Sequence, residues 1–290
     1  GVIRSSQLER TSIGLNYNQS MFDDRLNLNV NAKGSYLRNQ FDPGVIGATW
    51  SFDPTQAVLD PNNQALGGYF EYGSNQAPRN PVSSIEQIEN IGKSYRNIGN
   101  IEAEYAFKNW LPGLSAKLNL AYDANNGLQQ IFTPTTYQNK TVSNREGTIN
   151  SKAFSRVNPL LEFYLNYKKN IGENHRIDIT GGYSYQDFVE KYSGFEAYNL
   201  TNNNLGVNGA GTALNAIPYF TQNQNRLISF FGRANYSFKD RYLLTATVRR
   251  DGSTRFGPEN RWGWFPSAAF AWRIMQEDWA KNLGPVSDLK

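Results

Sequence analysis

The chain has 290 residues and no cysteine, a single histidine and only two methionines. Disulfides, thiolate nucleophiles and cysteine-ligated metals are therefore excluded. With His175 alone, a histidine-rich zinc site is excluded as well. Charge is also sparse: Asp, Glu, Lys and Arg make up 19% of the sequence, against about 25% in ordinary soluble domains. The net charge of +4 is scattered, with no basic block, so nothing points to nucleic acid. No run of apolar residues is long enough for a transmembrane helix, whereas a membrane β-strand needs only about 9 to 11 residues of alternating polarity. The opening GVIRSSQLER has no apolar stretch behind its charges, so no signal peptide is expected in these residues.

Aromatic residues are abundant, at 14% with 17 Tyr, 17 Phe and 6 Trp, although hydrophobic residues total only 39%. The dominant pattern has period two. From Arg25 to Tyr36 one face carries Leu26, Leu28, Val30, Ala32, Gly34 and Tyr36, and the other Arg25, Asn27, Asn29, Asn31, Lys33 and Ser35. The preceding strand, with Ile13, Leu15 and Tyr17 on one side, reaches it through the turn Phe22-Asp23-Asp24. Further hairpins turn at Asn109–Gly113, Asn170–Asn174 and Lys239-Asp240, and a ninth strand runs through Trp262, Trp264, Ala268, Phe270 and Trp272, with Pro266 at an irregular position.

Long segments rich in Asn, Gly and Pro separate the hairpins near residues 38–98, 127–153, 189–225 and 251–261, with a short helix expected over Pro81–Ile91. Short turns at one end and long loops at the other are the pattern of an outer-membrane barrel. Aromatics near strand ends, among them Tyr36, Tyr122, Tyr183, Tyr236, Tyr242, Trp262 and Trp264, fit membrane-interface girdles. The expected fold class is all-β, part of a transmembrane antiparallel β-barrel, with residues 1–290 as one partial domain whose long loops are extracellular. A soluble sandwich also alternates in polarity and stands as the competing reading.

Few residues suggest chemistry. His175 beside a short turn reads as an exposed turn residue, and there is no G-x-S-x-G elbow. Glu102 and Glu104 lie at i and i+2 on a polar strand face, as do Arg176, Arg233, Arg241 and Arg249, and wall salt bridges account for both sets. The oxygen-rich stretches Asp251–Thr254 and Asp123–Gly127 lack the calcium-loop pattern and read as turns. No catalytic, cofactor or metal residue is assigned, no cofactor is expected, and ligand contacts stay open.

The stretch RLISFFGRANYSF from Arg226 to Phe238, followed by KDRYLLTATVRRDGSTRFGPENRWGWFPSAAFAWRI from Lys239 to Ile274, closely resembles SusC/RagA-type TonB-linked outer-membrane transporters of Bacteroidetes. ERTSIGLNYNQSMFDDRLNLNVNAKGSY, FDPTQAVLDPNN and PRNPVSSIEQI extend the resemblance over most of the chain. The resemblance implies active uptake of oligosaccharides or peptides and no catalysis. It also implies a SusD-like surface lipoprotein and TonB–ExbB–ExbD as partners, with outer-membrane lipid around the protein and no nucleic acid. The family's 22-stranded barrel with its N-terminal plug is longer than these residues, which resemble a central barrel segment without plug or TonB box. A surface carbohydrate-binding or adhesion β-domain and a passive porin are the alternatives.

Overall fold

A computed structural model describes residues 3–74, 76–137 and 145–280. Nine antiparallel strands follow one another in chain order across a single sheet. They are β1 (Gln7–Met21), β2 (Leu26–Gln40), β3 (Glu89–Ala106), β4 (Leu114–Thr133), β5 (Thr148–Ile171), β6 (His175–Leu200), β7 (Ala213–Phe238), β8 (Tyr242–Ser253) and β9 (Trp262–Trp272).

The expected fold class needs correction. Among the described residues the ladder does not return on itself: β1 pairs only with β2 and β9 only with β8. Closure requires the first and last strands to exchange hydrogen bonds, so these residues form an open sheet with two free edges, not a closed transmembrane barrel. Pro266, which has no backbone N–H, sits on the edge strand β9, where a missing donor is tolerated.

Short connections at one end have the backbone that tight hairpins demand. Lys239 and Asp240 both take positive φ, 52° and 54°, the two-residue turn whose twist matches that of the flanking strands. Phe22, Asp23 and Asp24 all take positive φ in the first turn. At the other end the connections are long, but shorter than the sequence pattern implies. Strands β4 to β7 run on to Thr133, start at Thr148, run on to Leu200 and start at Ala213, well inside the expected loops. Stretches such as Gln222–Asn225 are polar on both faces, so period-two alternation disappears although the backbone ladder with β6 persists.

The sheet is also stepped. β7 keeps pairing with β6 back to Ala213, whereas its pairing with β8 stops at Leu227. The β8–β9 hairpin therefore ends low beside a tall wall made of β5, β6 and β7.

The buried core lies at the long-connection end, away from the middle of the sheet. Phe132, Ile149, Ala197 and Leu200 pack together, with Phe195, Val207, Ala210 and Ala213 against them. The connection between β2 and β3 carries α1 (Val45–Ser51) and α2 (Pro81–Gln87). The expected helix over Pro81–Ile91 thus stops at Gln87: Ile88 is already extended and Glu89 enters the ladder with β4.

Asn80 organises this connection. Its fully buried side chain accepts from the Val82 and Ser83 amides, capping α2, and donates to the Val58 and Phe70 carbonyls. Replacing it removes the cap and strands two carbonyls, so Asn80→Ala is expected to cost about 2–4 kcal/mol locally. Limited proteolysis of the 41–88 connection should then accelerate by more than about tenfold; an unchanged rate would show that the cap is dispensable.

Candidate functional site

Alternation along the strands sorts the sheet into two unlike faces. One is apolar and uncovered, with Leu120, Phe163, Leu165, Ile179, Phe230, Leu244, Val248 and Phe270 all exposed and no second sheet packed on them among the described residues. A patch of this extent on a protein surface marks contact with lipid or with another protein.

Aromatic side chains gather at both ends of this face. At the short-turn end Phe238, Tyr242 and Trp272 stack in sequence, with centroids 6.2 and 6.1 Å apart, and His175 joins them. At the other end Tyr183, Phe230 and Trp262 form a second row, with Tyr36 and Tyr95 paired on the far side of the sheet at 4.8 Å. Trp262 and Trp272 bound β9. The ten steps from Trp262 to Trp272, at about 3.3 Å each, give about 33 Å along the strand, and a tilt of about 40° reduces this to about 25 Å, the height of a membrane protein's apolar band.

The opposite face is mostly polar, with a hydrogen-bonded chain across four strands and smaller groups beside it. Asn31 donates to Asn100 at 3.0 Å, Asn100 to Asn119 at 3.2 Å, and Asn119 to Glu162 at 3.0 Å, a chain that crosses from β2 to β5. Lys117 closes on Glu102 at 2.7 Å, and Asn29 also reaches that carboxylate. Asn166 donates to Asp178 and Thr180, and Thr245 to Asn235. Carboxylates and cations on this face are largely neutralised by one another: Arg96 with Asp123, Arg156 with Glu190, Arg249 with Asp251. The face is wettable and hydrogen-bond-rich without being strongly charged.

The residues singled out from the sequence fall into place on this map. Glu102 is an ion-pair partner of Lys117, so the Glu102/Glu104 pair has no free acid–base couple. Asp123 and Asp251 lie inside β4 and β8, each held by an arginine. Arg176 and Arg233 line an open groove of about 560 Å³ with Asp178, Asp240 and Arg273 near the short turns. Arg249 also donates to Ser229. His175 lies in the apolar-face aromatic row, with its Nδ1 2.7 Å from the Tyr236 hydroxyl. That position separates it from the serines and carboxylates of the polar face.

Two features escaped the sequence pattern. The connection between β2 and β3 holds a nearly buried ion pair, Arg79 with Glu71 at 3.7 Å, beside the aromatic group Phe52, Phe70 and Tyr72. Burial pushes the Arg79 guanidinium below its ordinary value, and the Glu71 charge opposes that shift. This connection is tied to the next by Ser84 to Tyr137 and Thr136 to Gln87, and that one to the 201–212 connection through Thr135 and Asn203. The connections thus form one interlocked layer, visible only once the strands bring them together.

The second feature follows β9. Glu277 accepts from the Tyr242 hydroxyl at 2.7 Å and the Trp272 indole at 3.2 Å, and pairs with Arg241 at 2.8 Å. These contacts, Tyr242 foremost, hold its carboxyl below the ordinary value of 4.5. A depressed folded-state value adds stability that is present above the unfolded value and disappears as pH falls through the folded one. Protection of the 274–280 amides against hydrogen exchange, taken relative to their intrinsic rates at each pH, should therefore stay constant near neutral pH and fall on acidification below 4.5; Glu277→Gln should abolish that dependence.

Comparison with known proteins agrees with this geometry. A family model described as TonB dependent receptor-like, beta-barrel, matches residues 47–283. The TonB-dependent receptor SusC of Bacteroides thetaiotaomicron is 31% identical over 313 residues, covering 100% of this chain and 30% of that protein. The TonB-dependent receptor P26 of Formosa agariphila is 28% identical over 300 residues, covering 100% of this chain and 29% of its own length. Among solved structures the RagAB peptide transporter superposes with a TM-score of 0.74 at 21% identity, over 94% of this chain and 31% of that one. The chain thus spans about 30% of the length of the relatives it matches. With its polar and apolar faces, its family-model match over residues 47–283 and its chain-wide similarity to SusC, this sequence belongs to the TonB-dependent receptors, of the SusC/RagA type.

Proposed function

We propose that this chain is a segment of an outer-membrane importer that takes up oligosaccharides or peptides with a SusD-like lipoprotein, driven by TonB–ExbB–ExbD. The observation that carries the reading is the contrast between the two faces. An uncovered apolar face between two aromatic rows suits lipid, and the amide-rich network behind it suits a wet passage for neutral, hydrogen-bonding solutes. Sugar hydroxyls and peptide groups match those amides and hydroxyls, while the paired charges avoid holding an ion tightly.

Both free edges, on β1 and β9, present unpaired backbone groups that lipid cannot satisfy. Further strands from outside these residues would supply the missing partners. The interlocked connections at the long end, residues 41–88 and 201–212, lie on the extracellular side in this reading, where a lipoprotein or cargo would dock.

The test is uptake by cells carrying the full-length protein. Deleting its gene should abolish growth on its oligosaccharide or peptide, and collapsing the proton-motive force should stop uptake within the time needed to discharge it. Uptake that persists without the proton-motive force would identify a passive pore instead.

A further inference from the structure

The tip of the β8–β9 hairpin combines aromatic and cationic side chains in a way the transport reading does not use. Residues 249–261 contain four arginines but only two acids, Asp251 and Glu259. Asp251 is engaged by Arg249 on the polar face. Among the described residues no carboxylate forms an ion pair with Arg250, Arg255 or Arg261.

Arg250 is the unusual member. By register it belongs to the apolar face, opposite Phe230 on β7 and Trp264 on β9. Its guanidinium lies 4.8 Å from the Trp262 ring centre and 5.3 Å from that of Trp264. Trp262 is in turn stacked with Phe230 at 6.2 Å. Stacking engages the flat face of a guanidinium and leaves its in-plane N–H donors free. A cation is thus pinned on an otherwise apolar surface with its donors unfilled.

Height along the sheet places this cation. β8 ends at Ser253 and β9 begins at Trp262, at the upper aromatic row, while β7 continues beside them to Ala213. On the membrane reading above, on which this inference rests, the hairpin turns over at the level of the lipid headgroups. Exposed Phe256, Trp262 and Trp264 there suit the interface, and the planar fork of arginine suits phosphate oxygens.

The geometry points to a binding site for the phosphate headgroup of an anionic membrane lipid, with Arg250 as its main donor and Arg255 and Arg261 on the adjoining tip. The lipid's acyl chains lie along Val248 and Phe270, below Trp264 on the same face. Such a contact fixes the short hairpin against the bilayer beside the taller strands.

The test uses the full-length protein in phosphatidylcholine vesicles containing a minor share of spin-labelled phosphatidic acid, with lipid association read by electron paramagnetic resonance. Phosphatidic acid is expected to associate about tenfold better than phosphatidylcholine, and Arg250→Gln to bring the two to parity. Arg250→Lys, which keeps charge but loses the planar stack, should retain part of the preference. Equal association of both lipids with the unaltered protein, or a preference that survives Arg250→Gln, overturns the proposal. Inorganic phosphate that erases the preference at moderate concentration would mark a bare anion site and overturn the lipid assignment. Brominated phosphatidylcholine separates the two levels of the argument: it should quench tryptophan fluorescence in a manner reduced by Trp264→Phe. Absent quenching defeats the membrane reading itself, whereas quenching without headgroup preference defeats only the site.

Discussion

Ala268→Arg is expected to cost about 2–4 kcal/mol of stability in a bilayer, whereas Ala269→Arg, the same substitution one residue further along β9, should change it by no more than about 0.5 kcal/mol. The two residues are both exposed small side chains on one strand, so helix or strand propensity and local packing are nearly matched. They differ in face: Ala268 pairs with Ala246 on the apolar side, and Ala269 with Thr245 on the polar side. Ala268 also lies between Trp262 and Trp272, near the middle of the apolar band. The comparison is to be made on the full-length protein by denaturant unfolding from lipid vesicles. Similar effects for both variants would mean that the two faces meet the same solvent.

Gly113→Ala should be the most damaging of the small substitutions, above about 3 kcal/mol. Gly113 ends the β3–β4 turn at φ 99°, a conformation that costs an L-residue about 1–3 kcal/mol. A Cβ there would also lie 2.0 Å from the Lys168 carbonyl oxygen, and the Lys168 amide donates to Gly113 O at 2.8 Å. The turn is thus seated directly on β5, and any retreat breaks that hydrogen bond. Gly172→Ala provides the control: its φ is 61°, but nothing lies within 4 Å of the added atom, so only the conformational cost of about 1–2 kcal/mol remains. Thermal unfolding should rank the two well apart; equal losses would show that the contact with Lys168 contributes nothing.

Much of this architecture was legible because one face of each strand needs apolar residues and the other does not. Leu26 to Tyr36 alternates without a break and Ile228 to Phe238 does so except at Phe231, and the turns at Phe22-Asp23-Asp24 and Lys239-Asp240 lie where the polarity pattern places them. Alternation fades where strands rise above the apolar band, as at Gln222–Asn225, because both sides there are polar; extended backbone in that region is maintained by the ladder with β6 alone. The helix over Pro81–Gln87 was legible from Pro81 and the isoleucine spacing, but its end was not, since Ile88 and Ile91 suit a strand equally well.

Closure was not legible at all. Period-two patterning fixes which way side chains point and carries no information on whether the first strand meets the last, and here it does not. The functional surface was legible as a face but not as a network: the path Asn31–Asn100–Asn119–Glu162 joins residues from four strands, and only the strand register defines it. Likewise Arg250 is an ordinary arginine in sequence, and its place over Trp262 and Trp264 follows from the pairing of β8 with β9.

The most direct test of the two-faced sheet is cysteine accessibility along β9 of the full-length protein in outer membranes, helped by the absence of native cysteine from this region. Ser267→Cys, Ala268→Cys, Ala269→Cys and Phe270→Cys are each treated with a membrane-impermeant maleimide, after removal of any cysteine elsewhere in the protein. Labelling at 267 and 269 with protection at 268 and 270 is the predicted result. Uniform labelling of all four positions, or protection of the odd-numbered pair, would contradict a lipid-facing apolar surface backed by a wet polar one.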